Sequence, residues 1–401
     1  MTTLDAQVGR VVAAGACSGC GLCTRLDGGL TMTLDAAGFA RPVRTGPSTA
    51  DAADVRAFAR SCPGRTVRAA RPPGTVRHPL LGPVAGCWEA CATDPEARRR
   101  GSSGGVLTAL TTWLVAQGEA VRGVGAARDA DAPRRTVPVT IRSRAEALEA
   151  AGSRYAPVGV CAHPDAADPA SVTTGKPCET AALRALADGG PAPLLLSFFC
   201  AGTPSAHATD AVLERLGVGA GEPLTALWYR GRGWPGSFTA QRPDGSQVAT
   251  SYHESWGEVL GRSVQWRCKT CPDGVGESAD VVAGDLWRTD ERGYPVFTES
   301  DGWSALVART PRGRDVVERA VAAGVLDVRP VDPDVVMGVQ PLQTTRRRTL
   351  AGRLVGARLA GARAPRYRGF GLVRLALGDL RTTLRTARGT YRRVRSGAAR
   401  S

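Results

Sequence analysis

Residues 17–23 read Cys17-Ser18-Gly19-Cys20-Gly21-Leu22-Cys23, with three cysteines separated by two residues each. A chain that curls here can direct successive thiolates at different irons of one cluster, and the two glycines permit the curl. Ferredoxin-type motifs open with this triplet and are completed by a cysteine that precedes a proline. Cys62-Pro63 supplies that pair, and no other cysteine lies between positions 23 and 62. We therefore predict a 4Fe–4S cluster bound by Cys17, Cys20, Cys23 and Cys62, with tetrahedral zinc as the alternative that four thiolates leave open.

A second group of cysteines is spread over about a hundred residues. Cys268 and Cys271 repeat the two-residue spacing and are again followed by a proline. Cys178 follows a Gly-Lys-Pro turn and Cys200 ends an apolar stretch, and ligands in α/β proteins gather at strand ends and turns. These four cysteines are the predicted ligands of a second cluster. The alternative is that Cys178 and Cys200 are small core residues.

Three cysteines remain outside both sets. Cys87 and Cys91 are four residues apart, as on one face of a helix, and we interpret them as ordinary buried residues. Cys161 and His163 have the spacing of half a zinc site, which by itself indicates little.

Length and composition indicate a globular chain of two or three domains. The chain has 401 residues, of which 43 % are apolar, and this excludes disordered and collagen-like classes. Neither a signal peptide nor eighteen uninterrupted apolar residues can be found in the sequence. We therefore expect a cytoplasmic protein, in which cysteines serve as metal ligands or catalytic groups more often than in disulfides.

Apolar periodicity predicts a layered α/β body. Strands are expected at 121–126, 137–141, 192–199, 224–229 and 279–284, and helices at 106–115, 143–151, 177–187 and 315–324. Residues 72–83 look like a linker, and glycine-rich loops dominate 230–305. The predicted domains are a loop-dominated iron–sulfur module (1–75), two consecutive parts of the core (76–165 and 166–340) and a tail (341–401).

The tail carries the charge of the chain. Residues 341–401 contain sixteen arginines, no lysine and one acid, Asp379, so their net charge of +15 equals that of the whole chain. Leucines at helical spacing predict amphipathic helices, which would suit an anionic membrane surface or an acidic protein partner. A solvated basic helix packed on its own body is the alternative. Nucleic-acid binding is a further one, although few aromatic residues lie between the arginines.

The loop Gly101-Ser102-Ser103-Gly104-Gly105 precedes a predicted helix. Free backbone N–H groups, two hydroxyls and the positive end of a helix dipole could together hold a diphosphate, although many helices open with such caps. Lys176 is one of only two lysines among fifty-two basic residues. A compact ammonium group is not interchangeable with a guanidinium at a tight site, so we consider Lys176 a candidate catalytic residue.

Several more segments follow in a characteristic order. They are Ala151-Gly152-Ser153-Arg154-Tyr155, Gly175-Lys176-Pro177-Cys178, Phe199-Cys200-Ala201-Gly202, Trp234-Pro235-Gly236 and Gly284-Asp285-Leu286-Trp287. With the cysteine motifs and the 101–105 loop, this series resembles the coenzyme F420 hydrogenase/dehydrogenase beta subunit family, which also contains the 7-hydroxymethyl chlorophyll a reductases. The resemblance covers roughly residues 15–326. It implies an α/β core that binds FAD, together with iron–sulfur electron transfer.

The resemblance also implies roles for individual residues. It supports both predicted cysteine sets as ligands of 4Fe–4S clusters. Ser102, Ser103, Gly104 and Gly105 match the segment expected to hold the FAD diphosphate. Gly152, Ser153, Arg154 and Tyr155 match a segment near the flavin, where the family more often has lysine than Arg154. Lys176 stands where the family often has threonine.

We therefore expect an oxidoreductase that couples hydride transfer at FAD to one-electron transfer through two 4Fe–4S clusters. The hydride donor or acceptor would be coenzyme F420 or a small organic substrate, and the one-electron partner a ferredoxin-like carrier. A cation beside the flavin, Arg154 or Lys176, would stabilise the reduced ring. The competing hypothesis is a zinc-stapled protein that binds nucleic acid or a membrane surface through its arginine-rich tail.

Overall fold

A computed structural model gives the fold, and it describes residues 3–287 and 302–397. Its N-terminal part consists of α1 (Leu4–Ala13), α2 (Leu22–Leu26), β1 (Leu30–Leu34), β2 (Ala40–Arg44), α3 (Ala52–Ser61) and β3 (Thr66–Arg68). This part is more helical than the predicted loop-dominated module. The reason is local capping: the Thr3 side chain accepts from Ala6 N–H at the start of α1, and Asp51 forms a capping box over α3.

The segment predicted as a linker is folded into the body. It begins with β4 (Val76–His78) and β5 (Gly82–Val84), and continues as β6 (Gly86–Ala92) and α4 (Pro95–Arg100). Leu80 and Leu81 are buried in a core cluster with Val307 and Met337, so the linker prediction was wrong. Prolines here end short strands instead of marking an exposed connection. Cys87 and Cys91 therefore lie on a strand, where their spacing was read as helical.

The middle of the chain alternates helices and strands as predicted. Its elements are α5 (Val106–Ala116), β7 (Arg122–Arg128), β8 (Thr136–Ile141), α6 (Arg144–Glu149), β9 (Ser171–Gly175), α7 (Pro177–Ala187), β10 (Leu194–Phe198) and α8 (Ala206–Arg215). Core residues Leu110, Val172 and Leu196 show how helix α5 packs on the strands. The helices and strands predicted between 106 and 199 are thus confirmed, with shifts of one or two residues at most ends, whereas β9 and α8 were not predicted.

The stretch predicted as glycine-rich loops contains more strand than expected. It holds β11 (Ala226–Trp228), β12 (Ser237–Gln241), β13 (Gln247–Ser251), α9 (Trp266–Lys269) and β14 (Val281–Asp285). Strands β11, β12 and β13 form a separate antiparallel sheet. The last elements of the core are β15 (Ser304–Ala308), α10 (Pro311–Ala322), β16 (Leu326–Pro330) and α11 (Pro333–Gly338).

One mixed sheet of eight strands organises the molecule, in the order β16-β6-β15-β14-β10-β9-β7-β8. The central strands β14, β10, β9 and β7 are parallel, and the strands at both ends are antiparallel to their neighbours. Strand β6 lies between β15 and β16, which follow it much later in the chain. Trp88 of β6 lies opposite Leu306 of β15, and Ala92 lies opposite Leu326 of β16. The predicted α/β class is confirmed, and residues before and after position 165 share this one sheet.

The tail folds back on the body. It comprises α12 (Pro341–Leu359), β17 (Arg366–Arg368), α13 (Leu372–Leu377) and α14 (Leu380–Arg395). Strand β17 pairs with β3 of the N-terminal part, and α12 packs closely against α14. Across the described ranges, none of the helices combines the length and the apolar character that a membrane span requires.

Candidate functional site

The first cysteine set converges in the N-terminal part. Cys17 and Cys20 lie on the loop before α2, Cys23 lies in α2, and Cys62 directly follows α3. Cys20, Cys23 and Cys62 are buried. Burial raises the pKa of the Cys23 thiol, and the charges of the other three thiols raise it further. The chain thus brings four predicted ligands, one of them from a distant segment, within electrostatic reach of each other.

Two glycines shape this loop as the sequence predicts. Gly19 and Gly21 have φ angles of 71° and 86°, which side chains disfavour. A Cβ on Gly21 would lie 2.8 Å from the Cβ of Ala162, and one on Gly19 would lie 2.9 Å from the carbonyl oxygen of Ala40. Close packing therefore adds a second reason for glycine at both positions.

The arrangement of these thiols bears on the choice between zinc and a cluster. In residues 3–287 and 302–397, no group of three or more His, Cys, Asp or Glu side chains is arranged to hold a single metal ion. A zinc ion needs all four sulfurs about 2.3 Å from one point, whereas a 4Fe–4S cluster spreads them over four irons. Four thiolates suit either group, so metal analysis decides between them.

The second cysteine set comes from three places in the core. Cys178 lies in the first turn of α7, Cys200 follows β10, and Cys268 and Cys271 belong to α9 and the turn after it. All four are half-buried. Burial, followed by the charge of Cys268, raises the pKa of Cys200 to about 12. The Cys268 sulfur accepts from the backbone N–H of Thr203 at 3.4 Å.

Cys178 connects the two sets. Burial raises its pKa well above the ordinary value, and the charges of Cys20 from the first set and Cys268 from the second act in the same direction. A hydrogen-bond bridge shows the same proximity, because the Gln265 amide nitrogen donates to the Ser18 carbonyl at 3.2 Å and to the Cys268 sulfur at 3.6 Å. The sequence spacing predicts the sets but not their adjacency.

Cys161 is a neighbour of the first set that sequence spacing did not predict. It is fully buried, and its backbone N–H donates to the carbonyl of Cys20 at 3.0 Å. A hydrogen bond with the Cys161 thiol lowers the pKa of Cys20 to about 7. His163 instead uses its ring nitrogens towards Thr140 and Asp165, so the zinc half-site considered from the sequence does not form.

A cavity of about 520 Å³ opens beside the second set. This volume lies within the roughly 300–1,000 Å³ typical of ligand sites. The first turn of α5, Cys200 and Lys176 line it. Seven of the eight residues predicted to contact FAD also line it: Ser102, Ser103, Gly105, Gly152, Ser153, Arg154 and Tyr155.

The 101–105 loop is tied to its surroundings by hydrogen bonds. The Ser102 hydroxyl accepts from the backbone N–H of Ser153 at 2.5 Å, which joins the two predicted flavin segments. Gly104 lies behind the loop, where its N–H donates to the Ser304 hydroxyl at 2.9 Å and a Cβ would lie 2.4 Å from the Ala90 carbonyl oxygen. Gly104 is therefore closely packed behind the loop, and its predicted contact with the diphosphate stays a prediction.

Arg154 reaches the cavity wall but directs its guanidinium at the protein. Its nitrogens donate to the hydroxyl of Thr136 and to the carbonyl oxygens of Leu227, Pro133 and Arg135 at 2.7–3.1 Å. Burial lowers its pKa. Arg154 thus anchors its loop to β8 and β11, and its predicted contact with a flavin stays a prediction.

The second predicted cation, Lys176, lies in a buried ion pair. Its Nζ donates to Glu179 Oε1 at 2.6 Å and to the Val158 carbonyl at 2.7 Å. Burial by itself lowers the pKa of Lys176, but the charges of Glu179 and Cys178 outweigh it, and the net direction is upward. Glu179 is fully buried and was not predicted; its spacing of three residues from Lys176 was the available signal.

An aromatic cage holds Arg230 at the cavity. The guanidinium lies 4.8–4.9 Å from the ring centres of Trp234, Tyr252 and Trp287, and donates to the Asp285 carboxylate at 2.6 Å. Burial lowers the pKa of Arg230, but the Asp285 charge more than compensates. The glycine-rich 230–236 loop and the Gly-Asp-Leu-Trp motif thus form one structural unit, in which Trp234, Trp287 and the Asp285 carboxylate surround Arg230.

Helix α12 of the tail braces the second cysteine set. Arg346 donates to the carbonyl oxygens of Cys200 and Ala201 at 2.7 and 3.1 Å, and Gln343 also donates to Cys200. Arg347 donates to the Pro272 carbonyl at 2.9 Å and Arg353 to that of Lys269 at 2.8 Å. These arginines were expected to be solvated or to face a partner, and they instead hold the loops that carry three of the four cysteines.

Comparisons with known proteins agree with this architecture. The family model for the N-terminal part of the coenzyme F420 hydrogenase/dehydrogenase beta subunit matches residues 87–163, and the model for the C terminus of that beta subunit matches residues 170–334. The coenzyme F420 hydrogenase subunit beta of Methanosarcina barkeri is 25 % identical over 272 residues, covering 64 % of this chain and 86 % of that protein. The protein of the same name from Methanococcus voltae is 25 % identical over 266 residues, covering 63 % and 87 %.

A solved structure shows a similar fold. It is a chain of the F420-reducing [NiFe] hydrogenase complex from Methanosarcina barkeri, with a TM-score of 0.50 and 22 % identity. The similarity covers 68 % of this chain and 95 % of that one. Both family models end before α12, so the brace on the second cysteine set lies outside the part of the chain that they match.

Proposed function

Because the chain belongs to the coenzyme F420 hydrogenase/dehydrogenase beta subunit family, we propose that it is an FAD-dependent iron–sulfur oxidoreductase. Family membership supports the iron–sulfur oxidoreductase part directly. The proposal adds hydride exchange with coenzyme F420 or a small organic substrate. It also adds single-electron exchange with a ferredoxin-like partner in the cytoplasm.

The observation that carries this proposal is the contiguity of three features. Cys200 of the second set lines the large cavity, and the Gln265 amide joins Cys268 of the same set to the Ser18 carbonyl in the loop of the first set. A hydride site, one cluster and a second cluster would then follow one another in that order. Such a series suits conversion between two-electron and one-electron chemistry.

The residues of the cavity fit a flavin dinucleotide. The first turn of α5 presents backbone N–H groups that the helix itself does not pair and the positive end of a helix dipole, and Ser102 and Ser103 lie beside it. Bound there, FAD would exchange hydride with the substrate and single electrons with the iron–sulfur clusters. Tyr155 and Trp256, whose ring centres are 4.8 Å apart, form an apolar wall that excludes water.

Lys176 is the proposed catalytic residue of this cavity. Its ammonium group is buried against Glu179 and the Val158 carbonyl, and the residue remains in the cavity lining. A fixed positive charge there would stabilise negative charge that develops on a bound cofactor. The Glu179 carboxylate keeps this lysine protonated and in one position.

An anaerobic visible spectrum with metal and flavin analysis tests the proposal. We expect a brown protein with broad iron–sulfur absorption, releasable FAD, and about eight irons per chain, as two 4Fe–4S clusters require. Cys62→Ser should remove about half of the iron, whereas the matched control Cys87→Ser, outside both sets, should keep all of it. A colourless protein that contains zinc would contradict the proposal and favour the zinc-stapled alternative.

A screen of electron donors tests the substrate class. We expect reduced coenzyme F420 to bleach the flavin absorption of the anaerobic protein faster than reduced nicotinamides do. A ferredoxin added afterwards should take up electrons from the reduced protein. Reduction by nicotinamides alone would overturn the F420 assignment while leaving the oxidoreductase assignment intact.

A further inference from the structure

The tail exposes an unusual number of apolar side chains. Fourteen large apolar residues are exposed in the described parts of the chain, and eight of them lie between positions 342 and 391. Five form the outer surface of the last two helices: Val373, Leu377, Leu380, Leu384 and Tyr391. We call these five residues the apolar row. Leu384 is 68 % exposed and Leu377 is 64 % exposed, so neither side chain packs on the body.

The way α14 packs explains why these residues remain outside. A Cβ on Gly352 of α12 would lie 2.3 Å from the Thr383 carbonyl, and one on Gly356 would lie 2.1 Å from that of Ala387. Helix α14 therefore docks through its small residues, at a distance that only glycine on α12 allows. Leu380, Leu384 and Tyr391 are spaced by four and seven residues and share a different face. The exposed leucines of α14, Leu380 and Leu384, thus do not serve internal packing.

Arginines form a second row beside the apolar one. Arg381, Arg385, Arg388, Arg392 and Arg395 are spaced alternately by four and three residues, and all are exposed. Between residues 372 and 395 there are seven arginines and one acid, Asp379, which caps α14 through the backbone N–H of Thr382. The surface is therefore strongly positive along its whole length.

We propose that the apolar row and the arginine row form a docking surface for an anionic phospholipid membrane. Leucine side chains would enter the boundary between headgroups and acyl chains, while the arginines beside them would reach the lipid phosphates. A bilayer satisfies both rows at once along an exposed helix, whereas an acidic protein would match the arginines alone. The segments that the family models match end at residue 334, so this surface lies outside the part of the chain that they match.

Vesicle co-sedimentation of the full-length protein tests this surface. The probes are vesicles of phosphatidylcholine alone and of equal parts phosphatidylcholine and phosphatidylglycerol. We expect binding to the anionic vesicles only, with loss at high salt. Leu380→Ser combined with Leu384→Ser should weaken binding by about tenfold or more, since two exposed leucines lose their apolar contact. The matched control Leu34→Ser removes an exposed leucine of β1 and should change nothing.

Arginine variants test the contribution of the arginine row to membrane binding. Each of Arg381→Gln, Arg385→Gln and Arg388→Gln should weaken binding by about fivefold. Equal binding to both vesicle types, or binding that survives the leucine changes, would overturn the proposal. So would a dimer in solution that the leucine changes convert to a monomer, because the row would then be covered by a second copy. Iron and flavin contents, measured on every variant, separate failure of this surface from failure of the proposed enzyme activity.

Discussion

Lys176 and Glu179 form a buried ion pair. The contribution of this pair to stability can be measured separately from the effect of the lysine charge on flavin reduction. Lys176→Met would leave the Glu179 carboxylate buried without its partner, which we expect to cost about 3 kcal/mol of unfolding free energy. It should also slow substrate-driven flavin reduction by about tenfold or more, because the fixed positive charge at the cavity is lost. Thermal unfolding and stopped-flow absorbance measure the two effects.

The double variant Lys176→Met/Glu179→Gln is the control. It removes both charges and should recover part of the stability without recovering the rate. Iron content should remain unchanged in both variants. A double variant that reduces flavin as fast as the wild type would show that Lys176 has only a structural role.

Asp27 gives a prediction about pH. Its carboxylate accepts from Arg44, from Ser48 and from two backbone N–H groups, and these donors hold its pKa well below the ordinary value. A depressed folded-state pKa contributes stability above the unfolded value of about 3.9, and this contribution is lost as the pH falls below it.

Asp27→Asn should therefore destabilise the protein at neutral pH, since an amide NH₂ would face donors. The difference in unfolding midpoint from the wild type should stay constant between about pH 8 and 5 and shrink below about pH 4. Thermal unfolding followed by circular dichroism across this range checks it. A difference that already changes between pH 8 and 6 would contradict the assignment.

At this scale the sequence predicts residues whose spacing is local. The Cys17 triplet and its two glycines follow from neighbouring positions, and both glycine conformations are as expected. Cys161 reaches the first set only through the tertiary fold, and the same is true of the contact between the Glu179 carboxylate and the Val160 N–H. Long-range contacts of this kind leave no periodic signal in one sequence.

Helix α12 is the element that most changes the interpretation of the sequence. Arg346→Met would remove the donors to the Cys200 and Ala201 carbonyls, and we expect the variant to lose about half of its iron, from the second cluster. Arg348→Met, two residues along on the exposed side of the same helix, is the matched control and should retain its iron. Iron analysis and electron paramagnetic resonance of the reduced protein distinguish the two. An Arg346→Met variant that retains all of its iron would show that these hydrogen bonds do not support the second cluster.

The contact between α12 and α14 gives a second prediction for an element. Gly356→Ala places a Cβ against the Ala387 carbonyl and should destabilise the helix pair by roughly 1–3 kcal/mol. Gly389→Ala has its nearest new contact at 3.6 Å and should be neutral or slightly stabilising. Hydrogen exchange of the α14 amides measures the difference, and equal protection in both variants would contradict the close contact.

Helices and strands were predicted well where the apolar pattern was regular, and poorly where the patterned segment was short. Helices α5 and α7 begin at the predicted residues because Gly105 and Pro177 mark their starts. Strand β6 was missed since its cysteines mimic helical spacing, and β12 and β13 were hidden among glycines and polar residues. Pairing with neighbouring strands, rather than local propensity, makes these segments extended.

At the scale of the whole molecule, the tail supports the second cysteine set and also provides the proposed membrane-docking surface. A chain that ends at residue 340 loses Gln343 and Arg346, and it also loses Arg347, one of the two arginines that pair with Glu277. We expect this truncated protein to lose about half of its iron and to retain FAD, because the 101–105 and 152–155 segments remain. Metal and flavin analysis checks this, and a full iron content would contradict it.

The position of β6 in the large sheet has a consequence for biosynthesis. This strand is made early, yet both of its neighbours in the sheet, β15 and β16, end only at residues 308 and 330. During translation, β6 therefore remains unpaired with either neighbour until more than two hundred further residues have been synthesised. Until then its exposed edge is open to wrong partners, and Cys87 and Cys91 on it are accessible to stray iron and oxidants. The four predicted ligands of the first cluster, by contrast, are all made before β6, so nothing in the order of synthesis delays that cluster until the sheet closes.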